Sequence, residues 1–193
     1  MNKNRFESFS DGVIAIILTI MVLELKVPQE PTLAALGNYW PVYVAYLLSF
    51  GNVFMMWVAH HDIVASIRTV DHPLLFANGA LLFFMSLVPF ALAFASETHW
   101  SEPIPVALYG VVMLAASGGF VCLRLAAGRR AEDALILAEQ RSQAITTLVL
   151  GCAFLAGSVV AFYVPRAALL LYALVPLVRV GQIFARGRAQ ARQ

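Results

Sequence analysis

The chain has 193 residues, of which 61% are hydrophobic and 12% charged, with a mean hydropathy of +0.79 and a net charge of +2. Soluble domains usually carry about 25% charged residues, and the apolar residues here come in blocks too long for core strands. This excludes a separate water-soluble domain and leaves no basic surplus for nucleic-acid binding; the composition is that of an all-α, polytopic integral membrane protein.

In chain order the apolar blocks predict six membrane helices in one domain spanning residues 1–193. The first covers about 6–25. It lacks a small-residue cleavage site and is followed by further spans, so it reads as a retained helix and not as a signal peptide. A loop with Pro28, Pro31 and Gly37 leads to the second, about 42–64. The third covers about 73–95 and the fourth about 105–126. The charged stretch from Gly128 to Gln143 reads as an extension of the fourth or fifth helix, or as a solvated linker. The fifth covers about 145–164 and the sixth about 167–184, with Pro165-Arg166 leaving room only for a tight hairpin. Cys122 and Cys152 lie inside apolar blocks and read as small buried hydrophobes.

Charge sets the expected orientation. With both termini inside, Lys3, Arg5, Arg68, Arg124, Arg129, Arg130, Arg141, Arg179, Arg186, Arg188 and Arg192 are cytoplasmic, against Lys26 and Arg166 outside. That is a positive-inside distribution. Glu97 and Glu102 fall in an external loop that carries no base.

The first helix carries the most chemistry. Only twelve uncharged residues separate Asp11 from Glu24, about 18 Å of helix against a hydrocarbon core about 30 Å thick. Asp11 is therefore drawn toward hydrocarbon depth and needs partners or water. In the expected orientation Ser10, Asp11, His60, His61 and Asn78 share the cytoplasmic quarter of the membrane. Imidazole, amide and guanidinium groups are the available donors to the carboxylate. Such a layer either fixes the first helix or gates it. Adjacent histidines diverge by about 100° on a helix, which disfavours a metal site. Gly12, Ile16, Thr19 and Leu23, with Ile20 at the edge, form a separate stripe that reads as helix packing or as a face turned to a symmetry axis.

Arg5-Phe6 with Ser10-Asp11, followed by Gly12-Val13, Ala15-Ile16, Thr19 and Val22-Leu23-Glu24, resembles the first helix of the prokaryotic transmembrane protein 175 family of potassium channels. Trp57 with His60-His61 extends the resemblance into the second helix. The resemblance implies a multi-pass protein of the prokaryotic plasma membrane. It also implies a homotetramer of six-helix subunits with cyclic symmetry and a pore lined by the first helix. It implies no conventional pore-loop filter, and no cofactor beyond the permeant potassium ion. By the same resemblance Ile16, five residues after the motif aspartate, forms the constriction, and Thr19, Ile20 and Leu23 form the next layers. Arg5, Phe6, Ser10, Asp11 and His60 or His61 are then structural and gating residues, and the polar layer adds Asn78.

An aliphatic ring cannot coordinate a cation but gates by dewetting. Thr19 bears the hydroxyl of the stripe. It is expected to contribute selectivity, unless it bonds back to its own helix. The expected activity is a leak-like cation conductance with a modest preference for potassium over sodium. The rival is a secondary transporter or proton-coupled carrier using Asp11 and the second-helix histidines, with Pro89 and Pro176 as possible helix breaks. No paired nucleophile and base and no His-Glu-x-x-His element points to an enzyme.

Overall fold

Chain segments this apolar satisfy their backbone groups internally as helices, and helices account for the architecture. The computed structural model describes residues 2–129 and 133–190. Helix α1 covers Lys3–Ile20 and continues as a 3₁₀ turn over Met21–Glu24. A short helix, α2 (Leu33–Asn38), precedes α3 (Trp40–Ser66). Then follow α4 (His72–Ser86), α5 (Val88–Glu97), α6 (Pro103–Gly128), α7 (Ala134–Val160) and α8 (Pro165–Gln190). Among the described residues, segments 3–24, 40–66, 72–97, 103–128 and 134–160 are long and apolar enough to cross a membrane. The expected sixth span, about 167–184, lies within α8.

Local chemistry sets the helix starts. Asn2 accepts from the Asn4 N–H to cap α1, and Asp71 accepts from Leu74 to cap α4. Proline stands in the first turn of α3, α4, α5 and α6, where its missing N–H removes no helical bond.

The structure departs from the sequence expectation in four places. The third span is broken at Leu87 into α4 and α5, because Pro89 cannot donate to the turn before it. Pro176, by contrast, lies inside a continuous α8. The fifth helix begins at Ala134, well before residue 145, so 134–143 extends α7. Its Gln140 and Gln143 are buried, so this part is no solvated linker; Arg130 lies outside the described residues, as does Arg192. Cys122 and Cys152 are exposed, not buried, because both fall on outward faces of α6 and α7.

The core sits around α6, which packs on α4, α5 and α7. Gly119 lets α6 approach α4 closely: a Cβ there would lie 2.8 Å from the Cα of Leu81. Tyr172 of α8 fits against Gly110 and Gly157, and its hydroxyl donates to the Val106 carbonyl at 2.9 Å. At the far end, His99 and Trp100 hold left-handed backbone (φ 48° and 58°). Full burial of the Trp100 ring, edge-on to Tyr109 at 5.2 Å, offsets that strain. At the same end Lys26, just past α1, pairs with Glu97 at the end of α5. Helix α1 lies against α3 and α4 on one side only.

Candidate functional site

The helical repeat divides α1 into two faces. Phe6, Ser10, Ile14, Ile17 and Met21 recur every three or four residues and are buried. Gly12, Ile16, Thr19, Ile20 and Leu23 stand on the opposite side and are exposed, Ile16 at 58% and Leu23 at 76%. The stripe seen in the sequence is therefore an uncovered face of the single chain.

Polar side chains hold the buried face at the end where α1 starts and α3 finishes. His60 donates from Nε2 to Asn78 Oδ1 at 2.9 Å. Asn78 donates from Nδ2 to Ser10 Oγ at 2.9 Å, and Ser10 donates to the Phe6 carbonyl at 2.9 Å. Since the amide oxygen faces His60, Nε2 carries a proton, and Nδ1 has no hydrogen-bond partner among the described residues. Phe6 stacks on the His60 ring at 6.1 Å. One chain of bonds thus ties α1 to α4 and α3, through side chains that are all buried. Such a buried chain of bonds favours one arrangement of the three helices, although His60 Nδ1 stands outside it.

Asp11 is held differently. Trp57 of α3 donates from its indole nitrogen to Asp11 Oδ1 at 2.9 Å. The indole is a donor that the polar-layer argument, built on imidazole, amide and guanidinium groups, did not name. The spacing carried the signal: Trp57 precedes His60 and His61 by three and four residues, so all three lie on one side of α3. His61 is exposed and sits 3.6 Å from Glu7, one turn before Asp11. Arg5 is exposed in the first turn of α1 and is not joined to these contacts. Lys3 instead reaches from that turn to the Ala65 carbonyl at the end of α3.

Thr19 donates back to the carbonyls of Ala15 and Ile16 at 3.1 and 2.9 Å. The back-bonded alternative therefore describes its proton. Its oxygen is still on an exposed residue.

The arrangement is thus a helix anchored along one side by hydrogen bonds and packing, with an aliphatic face carrying one hydroxyl on the other. Comparison with known proteins places it. The profile of the family described as "Endosomal/lysosomal potassium channel TMEM175" matches residues 5–89, which include α1, the Trp57–His61 element and Asn78. A potassium channel of Chryseobacterium sp. (strain P1-3) is 35% identical over 178 residues, covering 92% of each chain. The crystal structure of a lysosomal potassium-selective channel TMEM175 homolog from Chamaesiphon minutus superposes with a TM-score of 0.83. It is 27% identical and covers 93% of this chain and 97% of that one. The mouse endosomal/lysosomal proton channel TMEM175 is 33% identical over 115 residues, covering 51% of this chain and 23% of the mouse protein. The fold and these matches together show that this chain belongs to the TMEM175 family of ion channels.

Proposed function

We propose that four copies of this chain form a potassium-preferring, leak-like cation channel in the plasma membrane of a prokaryote. The exposed face of α1 lines its central pore. Each copy contributes six spans, α8 being the sixth, with both termini cytoplasmic. The single observation that carries this reading is the division of α1: Phe6, Ser10, Ile14 and Ile17 are buried within the chain, while Ile16, Thr19, Ile20 and Leu23 are left uncovered. In a cyclic assembly such a face closes on the symmetry axis. Four Ile16 side chains then form a constriction that excludes water when narrow and conducts when wider. Thr19, one turn along, supplies oxygen lone pairs near the constriction. The network of Phe6, Ser10, His60 and Asn78, with Asp11 on Trp57, sets the position of α1 and so the width of the ring. Arg5 and His61 lie at its solvent edge.

Potassium flux into liposomes containing the purified protein tests the reading. Ile16→Asn wets the ring, so flux rises and the preference over sodium weakens. Flux that is unchanged by this substitution removes Ile16 from the pore. No flux from a folded tetramer moves the carrier alternative forward, with Asp11 and the histidines of α3 as its coupling groups.

A further inference from the structure

Helix α3 carries a second polar face. Trp57 and His60 bond to α1 and α4, whereas Asn52, Met55, Ala59, Asp62 and Ser66, spaced three, four, three and four residues apart, line a row of cavities on another side. The outermost is an open chamber of about 580 Å³ at the end of α3, where Ser66 stands. It shares Asp62 and Gln143 with a recess of about 50 Å³. That recess shares Met55 and Ala59 with an inner cavity of about 30 Å³, which Asn52, Ser117 and Thr147 also line. From Ser66 to Asn52 the row follows α3 for fourteen residues, about 21 Å of helix. Asn52 stands near the middle of this 27-residue helix, so the row runs from one end of the bundle to about its centre. One turn further on, Ser49 and the Tyr109 hydroxyl bond at 2.8 Å, both buried, with Trp100 packed on Tyr109. These groups close the row at its inner end.

The inner cavity has the chemistry of a water site. Asn52 is 2% exposed, and its Nδ2 has no hydrogen-bond partner among the described residues. A buried amide donor is costly to leave unpaired. The same cavity presents acceptors. Ser117 Oγ gives its proton to the Met113 carbonyl at 2.9 Å, and Thr147 Oγ1 gives its proton to the Gln143 carbonyl at 2.8 Å. Arg179 occupies one Thr147 lone pair at 2.6 Å, which leaves the other. A water molecule that accepts from Asn52 and donates to Ser117 and Thr147 has three partners, the usual number for an ordered interior water. The cavity gives the centre of that molecule about 30 Å³, above the roughly 10–15 Å³ that one water needs. Along the whole row Asp62 and Glu139 stand against Arg124 and Arg179. The wall thus has no surplus of either sign and suits a neutral polar occupant.

We propose that each chain holds an internal column of water along this face of α3, anchored at its inner end by an ordered water on the Asn52 amide. The column is separate from the open face of α1 and ends blind. It brings solvent to about the centre of the bundle, behind the helix face that holds α1 through Trp57 and His60.

Radiolytic hydroxyl-radical labelling of the purified protein tests this, with oxidation read residue by residue by mass spectrometry. Radicals form from water where it stands, and methionine sulfur is readily oxidised by them. The chain supplies its own reporters. Met55 lines both the recess and the inner cavity, and Met56 lines the inner cavity. Met21 and Met85 are fully buried in the packed core. We expect Met55 and Met56 to oxidise roughly tenfold faster than Met21 and Met85. Asn52→Leu keeps a similar volume and removes the amide. It should bring Met56 down to the rate of Met85 and leave Met55 labelled. If that variant does not fold, Ala59→Leu carries the test: it fills the passage between recess and inner cavity, with the same loss at Met56. Oxidation of Met56 at the rate of Met85 in the parent protein overturns the proposal. So does labelling of Met56 that survives the substitution. No flux enters the measurement, so its outcome is independent of whether the chain conducts.

Discussion

Ile16 and Ile17 are neighbours in sequence and opposites in structure. Ile17 is 4% exposed, wedged with Ile14 and Met21 against the rest of the chain, while Ile16 is 58% exposed. One residue step, about 100° of helix, separates packing from the uncovered face. The same helix is thus asked to be rigid on one side and to remain open on the other, and the two demands are met by different residues. Substitutions on the two faces should therefore separate stability from conduction.

The largest contrast comes from placing the same amide on each side. Ile17→Asn removes packing and buries an unpaired amide, and is expected to cost about 3–5 kcal/mol and to abolish the folded tetramer. Ile16→Asn is expected to change stability by less than about 0.5 kcal/mol. Unfolding in mixed micelles measures both. Equal destabilisation by the two would show that Ile16 is packed in the assembly and not turned to a pore.

Next comes Asn78→Leu. Asn78 bridges His60 and Ser10, all three buried, and its loss strands the imidazole N–H and deprives the serine of a donor. An expected cost of about 2–3 kcal/mol follows from leaving such groups unpaired. An unchanged midpoint would mean that water enters the layer. Trp57→Phe is milder. It removes the indole donor to Asp11, but Asp11 is only half-buried and water replaces part of the bond. About 1 kcal/mol is expected, with a larger effect on flux than on unfolding; the reverse order would make the bond purely structural.

How far each face could be read from the sequence follows from the range of the interaction involved. The uncovered stripe of α1 is a matter of period alone, so Gly12, Ile16, Thr19 and Leu23 were legible at once. The Ser10–Asn78–His60 chain was legible in composition, because spans in alternating directions bring these residues to one depth. Its pairings, and the choice of Trp57 over imidazole for Asp11, depend on how three helices are rotated about their axes, which no single period encodes. The break at Leu87 was legible from Pro89 only as a possibility, since Pro176 sits in an unbroken helix. The early start of α7 was legible only as one of two readings, helix extension or solvated linker, because polar residues such as Gln140 and Gln143 suit either. Gln140 meets its partners Arg124 and Ser66 only in the fold, whereas Gln143 bonds Glu139 one turn back on its own helix. Arg124 and Arg179 entered the sequence reading only as counts in a charge balance.

The smallest expected change in stability, and the sharpest statement about the open face, concerns Thr19. Its hydroxyl proton is shared between the carbonyls of Ala15 and Ile16. That back-bond does not compete with cation binding. A cation is coordinated by oxygen lone pairs, and a hydroxyl has two of them besides its proton. With the proton held against the helix, the lone pairs are turned toward the exposed side. Thr19→Val keeps the shape and removes the oxygen; Thr19→Ser keeps the oxygen and removes a methyl. Both are expected to unfold within about 0.5 kcal/mol of the parent, as substitutions on an exposed face do. The ratio of potassium to sodium flux should fall in the valine variant and hold in the serine variant. A ratio that survives valine would assign the open face of α1 to gating alone, because the aliphatic side chains beside Thr19 have nothing with which to replace an ion's water.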